Sequence, residues 1–204
     1  MEKYLFMKPV LQLISQGDFF RKAFAMFLRA LAVVTVIAGL VVWVVIWKNV
    51  SGQSATQILG IIIFQILFVI AIYMVVHALL IRADDITKLP NADYTVIPIV
   101  SVALKLCGEV YACFTAVISL AGGILIWFIG GNAYYFIRKA TVSMPGYGSG
   151  SDFLGGLIFI VGNWLIAFLV LLVFYFLAET VVIMADIAKN TKITRKVAEK
   201  YNKK

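Results

Sequence analysis

Four long apolar runs, separated by short polar or charged interruptions, dominate the chain. The first extends from Ala30 to Trp47 and is closed by Lys48-Asn49. A polar turn, Ser51-Gly52-Gln53-Ser54, leads into the second run, Ile58 to Ile81, which Arg82 ends. A charged loop follows from Arg82 to Asp93, with Pro90 as a breaker. The third run is Val110 to Ile129, preceded by a shorter apolar stretch from Thr95 to Leu104 and ended by Gly130-Gly131-Asn132. A loop containing Met144-Pro145-Gly146-Tyr147-Gly148-Ser149-Gly150 leads to the fourth run, within Phe153 to Ile183.

A bilayer core of about 30 Å needs about 20 consecutive apolar residues in a helix. Each run therefore predicts one transmembrane helix, and the fold class is an all-α polytopic membrane protein. The short links predict two antiparallel hairpins joined as a four-helix bundle. The first unit is 1–94, with spans 30–47 and 58–81; the second is 95–204, with spans 110–129 and 154–183 and a basic tail over 184–204. The fourth run exceeds one crossing, so its helix is expected to tilt or to project into water.

Composition agrees with this reading. Of 204 residues 63% are apolar and 14% charged, whereas soluble domains are nearer half apolar and a quarter charged. The longest stretch outside the spans is the first 29 residues, too short to bury an independent core, which excludes a separate soluble catalytic domain. The first apolar run follows Lys3, Lys8, Arg21, Lys22 and Arg29 without a small-residue cleavage site after it, the pattern of a retained signal anchor.

The net charge of +8 is informative through its location. Five Lys or Arg precede the first span, three lie between Arg82 and Lys105, and seven lie from Lys189 onward, against three in the two opposite loops. This fifteen-to-three bias predicts that both termini are cytoplasmic. Met1 to Phe20 mixes apolar and charged residues as an in-plane interfacial helix does. Lys189, Lys192, Arg195, Lys196 and Lys200 of the tail are candidates for contact with anionic lipid at the cytoplasmic face, and no nucleic-acid partner is expected.

The spans also resemble one another. Shifted by 84 residues, Ala32, Thr35, Gly39 and Trp43 fall on Ala116, Ser119, Gly123 and Trp127. Shifted by 102, Tyr73, His77, Ile81, Ala83 and Asp84 fall on Tyr175, Glu179, Ile183, Ala185 and Asp186. A parallel tandem repeat would give this match. Small residues let helices approach closely in lipid. The stripes Ala32, Thr35, Gly39 and Ala112, Ala116, Ser119, Gly123 are therefore expected to bring spans one and three together. Trp43 and Trp127 are expected at the outer interface.

Ionisable residues inside a membrane are candidates for function. Lys105 and Glu109 stand four apart on one helix face and are placed to pair. His77 and Glu179, equivalent in the repeat, are candidates for a histidine–carboxylate pair near the cytoplasmic mouth. Gln65 and Asn163 lie deeper, as interhelical hydrogen-bonding groups. Catalytic signatures are missing. One histidine rules out HExxH, and Gly146 to Gly150 lacks the lysine of a phosphate-binding loop. Cys107 and Cys113 read as buried free thiols. No catalytic residue, metal or cofactor is expected.

The stretch Glu179-Thr180-Val181-Val182-Ile183-Met184-Ala185-Asp186-Ile187-Ala188-Lys189-Asn190-Thr191 resembles the ending of a small bacterial membrane domain family of unknown function, and Gly17-Asp18-Phe19-Phe20-Arg21-Lys22 resembles its opening. The resemblance covers these two ends and implies a bacterial membrane protein with no particular activity. That family has two spans where this chain has four.

Taken with the lack of a soluble domain, these features suggest a non-enzymatic protein that acts by homo-oligomeric assembly, as a channel-like or scaffolding unit. The alternatives are an accessory subunit of a larger membrane complex, and a small dimeric transporter.

Overall fold

The computed structural model describes residues 17–89, 96–141 and 153–201. The expected interfacial segment Met1 to Phe20 falls mostly outside these, as do Pro90 and the glycine-rich loop from Gly146 to Gly150. The described residues form helices joined by turns and short irregular links, with no strand among them. The helices are α1 (Gly17–Lys48), α2 (Ala55–Thr87), α3 (Val96–Ile129), α4 (Ala133–Ala140) and α5 (Phe153–Tyr201), with a 3₁₀ turn at Gly130–Asn132 between α3 and α4. Four of them, α1, α2, α3 and α5, are long and apolar enough to cross a membrane. Helices suit such sequences because every backbone N–H and C=O is then satisfied without water.

Local chemistry sets the ends. The Asn49 amide donates to the Val45 carbonyl at 2.6 Å, closing α1. Gly52, with φ +87°, takes the left-handed conformation that turns the chain back. Ser54 then caps α2: its hydroxyl accepts from the Gln57 N–H at 3.4 Å, and the Gln57 side chain accepts from the Ser54 N–H at 2.9 Å. Where the sequence suggested a short stretch and then a span, α3 is one helix of 34 residues. Lys105 and Glu109 do not interrupt it because neighbouring helices supply partners for both. Pro98 is accommodated in the first turn, where its missing N–H costs nothing.

The four long helices form a row. α1 packs on α2, α2 on α3 and α3 on α5, while α1 meets α3 only slightly. Along the α2–α3 seam, Gly60 lies against Phe128 and Arg82 against Glu109, so the contacts run in opposite directions on the two helices. Two apolar cores fill the row. One joins Ile61, Phe64 and Phe68 of α2 with Ile118, Leu125 and Phe159 from α3 and α5. The other joins Ala25 and Leu28 of α1 with Leu79, Ile86, Ile99 and Leu106.

The expectation that spans one and three meet along their small residues is overturned. Gly39 faces the Ile72 side chain of α2, and Gly123 faces Ile160 and the Gly156 carbonyl of α5. Each stripe serves the next long helix in the chain, as elements consecutive in sequence commonly pack side by side. The row is open, since α5 packs mainly on α3 and not back on α1.

α4 was not anticipated from the sequence, which suggested only a loop beyond Gly130. Gly130, at φ +66°, breaks α3 and turns the chain. Ala133, Phe136 and Ile137 then bury themselves in the first core. The Tyr135 hydroxyl of α4 donates to Asn49 Oδ1 at 3.1 Å, joining α4 to the turn between α1 and α2.

Candidate functional site

The most concentrated polar chemistry within the spans is built on Glu109, in the half of α3 nearer its start. Arg82 comes to it from the last turns of α2. Its Nε donates to Glu109 Oε2 at 2.8 Å, and its Nη2 donates to Glu109 Oε1. Two N–H groups facing two carboxylate oxygens is the planar fork that arginine offers and lysine does not. Arg82 Nη1 also donates to Asp85 Oδ2 at 2.9 Å, one turn along the same helix. From the other side the Tyr175 hydroxyl of α5 donates to Glu109 Oε1 at 2.5 Å. Lys105 Nζ stands over the Tyr175 ring, 5.5 Å from its centroid, in cation–π geometry.

One carboxylate thus ties three helices together. The Arg82 and Glu109 side chains are 23% and 19% exposed, so the pair is shielded from solvent without being fully enclosed. The expected Lys105–Glu109 pair is replaced: Glu109 turns to Arg82 and Tyr175, and Lys105 to the tyrosine ring. The bidentate arginine matches the carboxylate better than a single ammonium on the same helix. Arg82 was read from the sequence only as the end of a span. The signal that would have found it is the isolation of Glu109, an acid within an apolar helix that needs a cation from elsewhere.

His77 and Glu179 are both exposed, on α2 and α5, and no hydrogen bond or ion pair joins them among the described residues. The His77 ring instead stacks on Tyr73, with centroids 5.8 Å apart and planes 15° from parallel. The matched tyrosines therefore differ in use, Tyr73 meeting a histidine ring and Tyr175 a carboxylate. Gln65 does bond between helices, its Nε2 donating to the Trp43 carbonyl at 3.1 Å. Asn163 does not: its Nδ2 donates within α5 to Phe159 at 2.8 Å. The amide oxygens of both side chains are buried without a protein partner.

From Ala116 toward the C-terminal end of α3, α3 and α5 come into close contact, backbone against backbone at Gly123 and Gly156. Trp127 Nε1 donates to the Phe153 carbonyl at 3.0 Å and its ring stacks on Phe153. Trp164 Nε1 donates to the Ala116 carbonyl at 3.0 Å. Ser119 is fully buried, its hydroxyl donating to the Ala116 carbonyl at 3.0 Å. Trp43 stacks edge-on with Trp47 near the end of α1.

Cys113 is half-buried, but Cys107 is exposed on α3, contrary to expectation. Beyond Thr87, Asp84 receives Lys88 Nζ at 2.5 Å and, as its hydrogen-bond partner, raises the Lys88 ammonium above its ordinary pKa. Among the described residues no three His, Cys, Asp or Glu side chains converge as metal ligands would. A groove of about 350 Å³ between α1 and α2 is lined by Gly39, Trp43, Phe68 and Ile72 and is apolar. It offers an acyl chain an apolar surface.

No family model matches the chain, and neither the curated proteins nor the solved structures include a match. The resemblance of the two chain ends therefore stays at the residues quoted for it.

Proposed function

We propose that this chain is a non-enzymatic integral membrane protein that acts by self-assembly, as a scaffolding unit. Two hairpins in tandem, with both termini cytoplasmic in a bacterial inner membrane, are the topology of this reading. The observation that carries it is the open row of helices, in which α1 and α5 form the edges and keep the largest apolar surface. Within the row, polar groups such as Arg82, Glu109 and Tyr175 are spent on fastening helices together. A pore would need walls from further copies, so a channel-like role also requires assembly.

Native mass spectrometry of protein released gently from membranes tests the proposal. A discrete homo-oligomer is expected. A monomer would overturn it, and a heteromeric mass would favour the accessory subunit. That second reading is supported by the length of α5, whose last turns are exposed and available to a partner. For the transporter reading, liposome flux that changes on His77→Ala or Glu179→Gln is the discriminating result.

A further inference from the structure

We propose that α5 pairs with α5 of a second copy, in parallel and in register, through a coiled coil that begins in the membrane and continues into the cytoplasm. This rests on the self-assembly reading and names its surface.

α5 is a single helix of 49 residues, about 74 Å long at 1.5 Å per residue, against a hydrocarbon thickness of about 30 Å. Neither Gly nor Pro occurs between Gly162 and Tyr201, so nothing in its sequence bends it. The 16 residues from Asp186 to Tyr201 add about 24 Å beyond the apolar run. Surface potential decays over about 8 Å at physiological salt. A straight continuation therefore carries Lys196 and Lys200 out of reach of lipid charge, and lipid anchoring does not account for the tail in this conformation.

Its sequence has another order. Ile183, Ile187, Asn190, Thr194, Val197 and Tyr201 recur at alternating spacings of four and three, the period of a coiled-coil seam. The apolar members are open: Ile187 is 61% exposed, Val197 49% and Tyr201 76%. Traced back into the membrane, the same spacing passes through Thr180 to Phe176, Val173 and Leu169, all three exposed on the side of α5 away from α3. In lipid such a stripe needs no partner, but in water it does.

The placement of charge selects the partner. With Ile187 and Thr194 as position a, Lys189, Lys192, Arg195 and Lys196 fall at c, f, b and c, outside the seam, and Lys200 falls at g, on its flank near the end of the helix. Two identical basic tails can then meet without setting these charges against one another. An acidic partner would instead bind the charged face. Asn190 and Thr194 at the middle of the seam supply polar groups of the kind that fix register.

Site-specific disulfide trapping of the full-length protein in native membranes tests this, in a background where Cys107 and Cys113 are replaced by serine. In an in-register parallel pair, equivalent a positions face each other at separations a disulfide spans. Oxidation is expected to give covalent dimer at Ile187→Cys and Thr194→Cys at least tenfold faster than at Lys192→Cys and Glu199→Cys, which lie at f. Equal rates at all four positions, or faster trapping at the f positions, would overturn the pairing. So would slow trapping throughout in a protein whose native mass is oligomeric, since assembly would then use another face. A monomeric native mass would remove self-assembly itself. Substitution of Ile187 and Val197 together by lysine is expected to reduce the dimer fraction tenfold; because both side chains are exposed, the fold of the spans is left intact.

Discussion

Gly123 and Gly156 face one another across α3 and α5, and a Cβ on either would stand 2.8 Å from the carbonyl oxygen of the other. The approach is backbone to backbone, so neither helix can yield by rotating a side chain. We expect Gly123→Val and Gly156→Val each to destabilise the protein by about 1–3 kcal/mol or more, the range for overpacking. Gly131→Ala, where a Cβ meets nothing within 4 Å, is the matched control. Thermal unfolding in detergent would decide it, and equal midpoints for Gly156→Val and the control would refute the close approach.

The Arg82–Glu109 pair is expected to behave as a coupled unit. Arg82→Gln takes both arginine donors from the shielded Glu109 carboxylate and is expected to cost about 2–3 kcal/mol, whereas Glu109→Gln leaves Arg82 its Asp85 partner and is expected to cost less. Tyr175→Phe removes one neutral donor and is expected to cost about 1 kcal/mol. A double-mutant cycle on Arg82 and Glu109 should give a coupling above about 1 kcal/mol; additive effects would mean that the two side chains act separately.

Ser54 caps α2 through a reciprocal pair with Gln57. Ser54→Ala is expected to lower stability by about 1 kcal/mol, and Ser54→Asp to retain most of it. Identical unfolding of the alanine and aspartate variants would count against the cap.

The orientation makes a separate prediction. The proposed topology sets fifteen of the eighteen Lys and Arg residues on one side, so a reporter fused after Lys204 should be active in the cytoplasm, and one inserted between Ser51 and Gly52 on the opposite side. Cytoplasmic activity at both places would exclude N-in, C-in topology.

The spans were legible in the sequence because hydropathy alone specifies them. Their neighbours were less so. Gly39 and Gly123 match in spacing, yet one accepts Ile72 and the other a glycine carbonyl, since small residues declare close approach without declaring to what. Glu109 was marked by its chemistry, but its partners lie 27 residues before it and 66 after it. Helix-face spacing reaches only the residue four positions away, which led to Lys105. The helix α4 was hidden for a different reason. Ala133, Phe136 and Ile137 are too few to register as a run, and their burial depends on a core assembled by other helices.

The bond from Tyr135 to Asn49 sets a temporal order on the molecule. Asn49 uses its amide nitrogen to close α1 and its oxygen to receive α4, so the turn between α1 and α2 is completed by a residue synthesised 86 positions later. During synthesis that turn must emerge from the membrane before its partner exists. It gains its last fastening only when α3 has crossed and α4 has folded back over the core. This end of the row is therefore finished late, and its closure reports that the two halves of the chain have found each other.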